Sequence, residues 1–169
     1  GAAAHLLGAA LPSVPLASTA GGTVDLSSLA GTVVVYAYPR TGRPGQPLPE
    51  GWDAIPGARG CTPQSCAFRD HADEIAARGA ELFGLSAQTT GYQRELAERL
   101  GLPFPVLSDA DLAFADALGL PTFEAGGMRL IRRLTLFLRG GRVEGVLYPV
   151  FPPDRSAEQA LAWLDAHPL

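Results

Sequence analysis

Cys61 and Cys66 are the two cysteines of the chain. They lie five positions apart in Gly60-Cys61-Thr62-Pro63-Gln64-Ser65-Cys66-Ala67-Phe68-Arg69-Asp70, where a glycine-rich loop gives way to a helical pattern. Such a pair is open to three chemistries: a structural disulfide, part of a metal site, or a redox couple. A four-ligand zinc site needs more than two cysteines, and the three histidines offer no ligand spacing. The five-residue step also differs from the Cys-x-x-Cys of thioredoxin-type dithiols. Cys61 falls at the loop-to-helix junction, where a thiolate faces unpaired backbone N–H groups and the positive end of the helix dipole. Both stabilise the anion, and an accessible thiolate is what a peroxide-reducing nucleophile requires.

Helix geometry sets Cα atoms five residues apart at roughly 8–9 Å, with their side chains about 140° apart around the axis. A disulfide requires Cα atoms within about 7 Å. Either the segment is not helical, or forming the bond unwinds its first turns. Unwinding suits a catalytic cycle better than a permanent bridge, so the residues favour redox catalysis over inert thiols.

Arg133 is the second candidate. Strand alternation puts Arg133, Thr135 and Phe137 on one face, with Arg132, Leu134, Leu136 and Leu138 on the other. An arginine entering an apolar strand needs a partner, because an unpaired buried charge is costly. A thiolate and a bound peroxide oxygen would serve; a surface arginine at a strand end is the plainer alternative.

The elements that must position these groups follow from patterning. Ser13–Ala17 and Thr23–Leu26 read as short strands around Gly21-Gly22, a hairpin signal. Thr32–Tyr38 does not alternate, as expected of a central strand buried on both faces, and Pro39 ends it. Residues 40–60 form a long loop with four prolines, five glycines and Trp52, which is expected to fold the loop onto the body. A helix is predicted from Cys61 to Arg78, with Phe68, Ala72, Ile75 and Ala76 on its apolar face and Pro63 tolerated near its start. Glu81–Ser86 reads as a strand, Gly91–Leu100 as a helix, Phe104–Leu107 as a strand and Asp109–Leu118 as a helix. Leu130–Leu138 and Arg142–Tyr148 flank Gly140-Gly141 as a β-hairpin. A last helix opens on Ser156-Ala157-Glu158-Gln159, a capping-box pattern, and buries Ala157, Ala160, Leu161 and Leu164. Strands alternating with helices, followed by an antiparallel pair, imply an α/β fold of thioredoxin-like architecture. It has a mixed central sheet flanked by helices and an N-terminal β-hairpin extension.

A chain of 169 residues with 47% hydrophobic content supports one domain, 1–169, with residues 1–10 expected to be a flexible N-terminal segment. A net charge of −4 without a basic stripe argues against nucleic acid. The chain has no lysine, so a polybasic membrane signal is missing, and no apolar run approaches the ~20 residues of a membrane span. Gly1–Ala10 lacks a basic n-region, and Pro12 and Pro15 follow it, so it reads poorly as a signal peptide. A cytoplasmic protein is expected, and there a cysteine pair points to catalysis or redox activity.

The residues resemble the peroxiredoxins, most closely the Q-type or bacterioferritin-comigratory group, over nearly the whole chain from about Gly8. The resemblance rests on Leu11-Pro12, Pro15-Leu16, Val33–Pro39 and the Gly-Cys-Thr-x-x-x-Cys-x-Phe-Arg-Asp string from Gly60 to Asp70. Leu102–Asp109, Arg133-Leu134-Thr135 and Trp163-Leu164 add to it. It implies that Cys61 is the peroxidatic cysteine and is oxidised by peroxide to a sulfenic acid. Cys66 is then the resolving cysteine, forming an intramolecular disulfide that thioredoxin or a similar dithiol reduces. Arg133 orients peroxide and thiolate. The substrates implied are hydrogen peroxide and organic hydroperoxides, with no metal, flavin or haem cofactor, in a monomer or weak homodimer. The alternative is a thioredoxin-fold disulfide carrier or redox sensor using the same pair without efficient peroxidase activity.

The family pattern Pro-x-x-x-Thr/Ser-x-x-Cys is broken here. Ala58 takes the hydroxyl position, and Pro39 lies 22 residues before Cys61 instead of seven, as if 15 residues were inserted in the catalytic loop. Thr41, the one hydroxyl residue between Pro39 and Cys61, is the candidate to bond the peroxide. Pro39 is expected to shield the site, with Pro56 as its rival. His71, Arg69, Asp70, Tyr36 and Tyr38 are read as packing, surface or wall residues.

Overall fold

The computed structural model describes residues 3–41, 60–150 and 152–168. The chain opens with a hairpin of β1 (Pro15–Ser18) and β2 (Thr23–Asp25). It turns at Gly21 and Gly22, both at positive φ. β3 (Thr32–Ala37) is buried at all six positions, as its unbroken apolar run requires. After it come α1 (Cys61–Asp70), α2 (Ala72–Ala77), β4 (Ala80–Ser86), α3 (Thr90–Leu100), β5 (Val106–Ser108) and α4 (Ala113–Leu118). β6 (Thr122–Ala125), β7 (Met128–Ile131), β8 (Leu134–Arg139), β9 (Arg142–Leu147) and α5 (Ser156–Ala166) complete it. Seven strands form one mixed sheet in the order β2-β1-β5-β4-β3-β8-β9, while β6 and β7 pair separately. β3, β4 and β5 run parallel; β8 joins β3 antiparallel, with Tyr36 opposite Thr135. This is the thioredoxin-like mixed sheet expected from the element order.

The sheet separates two apolar layers. Val33, Val35, Leu134, Leu136 and Leu138 face the N-terminal segment and Phe114 of α4. Val34, Tyr36 and Phe137 face the other way, toward Phe68, Ile75, Leu96 and the Ala157, Ala160, Leu161 and Leu164 face of α5. The site lies within this second layer, where Cys61 is buried.

Five expectations change. The N-terminal segment, expected to be flexible, is packed from Ala3 onward: Leu6 is fully buried in the core and the Gly8 N–H donates to the Val143 carbonyl at 2.8 Å. The helix expected over 61–78 breaks at His71, which leaves helical dihedrals (φ −107°, ψ 8°) and whose imidazole is held by the Glu74 carboxylate at 2.8 Å. The strand expected over 130–138 is two strands in two sheets. β7 folds back on β6 through Gly126-Gly127, and the Arg132 N–H donates to the Pro121 carbonyl at 2.9 Å, so Arg133 sits at a corner. No glycine or proline marks that corner in the sequence. The helix expected from Asp109 starts at Ala113, because Leu112 takes a left-handed conformation (φ 60°). Asp109 reaches past it to accept the Phe114 and Ala115 amides at 3.0 and 2.8 Å. The capping box is not made: Ser156 is the first residue of α5, behind a 3-10 turn at Pro153–Arg155, and its hydroxyl serves another partner.

Candidate active site

Gly60 turns the chain into α1 with φ +97°. A Cβ here would meet Pro153 Cγ at 2.7 Å, so both the dihedral and the close approach demand glycine. Cys61 is the first residue of α1 and is 4% exposed. Its sulfur accepts a hydrogen bond from Arg133 Nη2 at 3.2 Å, and Arg133 Nη1 donates to Gln64 Oε1 at 2.5 Å. Gln64 Nε2 donates in turn to Ser156 Oγ at 3.2 Å. Gln64 and Ser156 have no exposure, and Arg133 only 4%. A buried guanidinium is tolerated only with strong acceptors around it. Here a sulfur and an amide oxygen, delivered by the first turn of α1, fill that role. The site sits beyond the carboxyl end of β3, the usual location for chemistry in an α/β sheet.

The helix carrying the cysteines is fastened to the sheet from below. Tyr36 stacks on Phe68 with centroids 4.3 Å apart and planes 6° off parallel, and its hydroxyl meets Ser65 Oγ at 3.0 Å. Gly84 makes this possible, since a Cβ there would lie 3.0 Å from the Tyr36 hydroxyl. Burial pushes the Tyr36 phenol well above the ordinary tyrosine range, so it stays a neutral wall of the site. Tyr38 is buried beside it and raised for the same reason. Thr135 is fully buried on the site-facing side of β8, and its hydroxyl has no hydrogen-bond partner among the described residues.

Cys66 is partly exposed one turn further along α1, and no disulfide joins it to Cys61. Because α1 is continuous from Cys61 to Asp70, helix geometry holds their Cα atoms roughly 8–9 Å apart. That is beyond disulfide reach. Nearby, Arg69 reaches the Leu100 carbonyl and Asp70, a surface tether as expected.

Pro39 is buried where β3 ends. Thr41 is also buried, and its hydrogen bonds run to Gln88. The Thr41 N–H donates to Gln88 Oε1 at 2.9 Å, Gln88 Nε2 donates to the Thr41 carbonyl at 3.0 Å, and the hydroxyl makes a longer bond of 3.4 Å to the same oxygen. Trp52, Pro56 and Ala58 lie outside the described residues. The structure thus brings Cys61 and Arg133 together and ties Thr41 to Gln88. Sequence reasoning missed Gln64, Ser156 and Gln88. Gln64 left a signal, for it stands three residues after Cys61 and so on the same side of the helix. Ser156 was misread as a cap, and Gln88 left none.

Fold and site together define a thiol redox enzyme on a thioredoxin-like scaffold. Residues 6–161 match the Redoxin family. A chloroplastic peroxiredoxin Q from Populus jackii is 30% identical over 160 residues, covering 94% of this chain and 68% of the relative. Peroxidoxin BcpB from Mycobacterium tuberculosis superposes with a TM-score of 0.77 at 28% identity, covering 96% of this chain and 98% of that one. Peroxiredoxin Q from Xanthomonas campestris superposes with a TM-score of 0.73 at 26% identity, covering 93% and 95%. The chain spans about two thirds of the length of several curated relatives, the shares running from 65% to 68%. The chain belongs to the peroxiredoxins, in their Q-type group, and is a thiol peroxidase.

Proposed function

We propose that Cys61 is the peroxidatic cysteine, Cys66 the resolving cysteine and Arg133 the group that orients peroxide against the thiolate. The observation that carries this reading is the 3.2 Å contact between Arg133 Nη2 and the Cys61 sulfur in a buried site. The Cys61 thiolate attacks one peroxide oxygen, the O–O bond breaks, and an alkoxide or hydroxide leaves and takes up a proton. Arg133 stabilises the charge that shifts onto the leaving oxygen. Cys61 is now a sulfenic acid. Attack by the Cys66 thiolate forms the S–S bond and releases the sulfenic oxygen as water. An external dithiol, thioredoxin or one like it, then reduces the disulfide by exchange.

Pro39 shields the thiolate from the strand end. Thr41 supplies a hydroxyl to the peroxide; among the described residues that hydroxyl holds a 3.4 Å bond to Gln88. Hydrogen peroxide and small organic hydroperoxides are the substrates. The enzyme works as a monomer or weak homodimer in the cytoplasm, where a thiol pair is kept reduced.

Turnover with a thioredoxin system tests the reading. Cys61→Ser abolishes it, and Cys66→Ser consumes one equivalent of peroxide and stalls as a sulfenic acid trapped by dimedone. Full turnover by Cys61→Ser, or a peroxide reaction no faster than that of a free thiol, refutes it. The second result would favour a disulfide carrier or sensor.

A further inference from the structure

Away from Cys61, a cleft of about 440 Å³ opens among Arg40, Gln88, Tyr92, Leu112, Met128 and Leu130. That volume falls in the range of small-molecule sites. Two guanidinium groups border it, and they differ. Arg129 is neutralised: its Nη2 donates to the Asp116 carboxylate at 2.6 Å and its Nε to Thr122 Oγ1 at 3.1 Å. Arg40 has no carboxylate partner among the described residues. Its Nη2 donates to the Tyr92 hydroxyl at 3.3 Å, its Nη1 faces the Met128 thioether at 3.7 Å, and its guanidinium carbon lies 5.8 Å from the Tyr92 ring centroid. Its Nε is buried with no hydrogen-bond partner among the described residues. A phenol and a thioether are weak, neutral acceptors, so among the described residues no anion faces this partly buried cation.

We propose that this cleft binds an amphipathic carboxylate, with the carboxylate on Arg40 and the hydrocarbon chain along Leu112, Met128 and Leu130. The two carboxylate oxygens match the fork of donors on a guanidinium. A dianionic phosphate calls for a second uncompensated cation, and Arg129 is already paired. The apolar walls give a hydrocarbon tail somewhere to lie, and the Met128 thioether adapts to its shape. The site is built by the residue after Pro39, the loop after β4, the start of α3 and β7, and Cys61, Gln64 and Arg133 do not line it.

Calorimetric titration of the reduced full chain with decanoate, decanol and acetate, all below micellar concentrations, tests the site. Decanoate should saturate at one equivalent, with decanol and acetate each at least about tenfold weaker, as expected when a charge-assisted bond or the tail contact is lost. Arg40→Gln should weaken decanoate about tenfold and leave decanol unchanged, while Arg40→Lys keeps part of the preference. Met128→Gln should weaken decanoate and decanol alike, and Cys61→Ser should bind decanoate as the native protein does. Equal affinity for decanoate and decanol overturns the proposal. So does an unchanged decanoate affinity in Arg40→Gln, or a loss of binding in Cys61→Ser.

Discussion

Arg133 and Gln64 meet at 2.5 Å, and the same guanidinium reaches the Cys61 sulfur at 3.2 Å through its other terminal nitrogen. One side chain at the β7–β8 corner therefore reads whether the first turn of α1 is formed. When that turn is helical, sulfur and amide oxygen both face the guanidinium.

The charge on Arg133 is expected to matter most in the peroxide step. Arg133→Ala should slow oxidation of Cys61 by about 10²–10³-fold, the usual loss when one preorganised donor to a developing negative charge is removed. Arg133→Lys should recover part of it, because a point charge cannot serve sulfur and Gln64 together. Stopped-flow mixing with hydrogen peroxide measures both, and a rate unchanged in Arg133→Ala would remove the residue from the mechanism.

Ser156 acts later. Its hydroxyl accepts a hydrogen bond from Gln64, and on the proposed mechanism Gln64 has to let go before Cys66 reaches Cys61. Losing one such bond, worth about 0.5–1.5 kcal/mol, should make disulfide formation about 2–10-fold faster in Ser156→Ala. Ser156→Thr, which keeps the hydroxyl, should restore the native rate. Rapid-quench mass analysis after one equivalent of peroxide resolves this step from the initial oxidation, and a slower resolution would contradict the locking role.

Gly60 is predicted to be intolerant for two reasons that add. Alanine at φ +97° is strained by about 1–3 kcal/mol, and its Cβ overlaps Pro153. Gly60→Ala should lower the unfolding free energy from urea titration by at least that cost and slow the peroxide reaction through displacement of Cys61. Gly21→Ala also sits at positive φ, with nothing within 4 Å, and should show the strain without the loss of activity.

Asp109 gives stability a pH dependence. Burial holds its carboxyl above the ordinary value of 3.8, outweighing the amides of Ala115 and Phe114 that favour the charged form. A raised folded-state value means that the native protein binds this proton more tightly than the unfolded chain does. Its contribution is therefore complete below the unfolded value and is lost as pH rises through the folded one. Urea midpoints of the native protein should fall relative to Asp109→Asn as pH is raised from 3.8 upward, and parallel curves would show that the carboxyl does not titrate in this way.

Most elements were legible in the sequence because local patterns and tertiary burial agree. The unbroken Thr32–Tyr38 run and the Gly140-Gly141 turn each state locally what the fold uses. The readings that failed lie where local and distant demands diverge. Leu130–Leu138 looks like one strand because β7 and β8 share β-forming residues. What divides them is the Arg132 bond to Pro121 and the pairing of β7 with β6, both decided elsewhere in the chain. Ser156 carries a capping pattern, but burial against Gln64 is a stronger claim on its hydroxyl.

By itself the sequence determined the candidate nucleophile, its place at a helix start, the five-residue step that forbids a static disulfide within a helix, and an arginine on the apolar strand. Those are properties of residue type and spacing, and spacing along a helix or strand is a local quantity. Only the tertiary structure decided which oxygen holds Arg133, that Ser156 stands behind Gln64, and that Thr41 leans on Gln88. Gln64 and Ser156 are separated by 92 positions and Arg133 and Cys61 by 72. At such separations the partner of a buried polar atom is set by how the layers pack, not by any pattern along the chain.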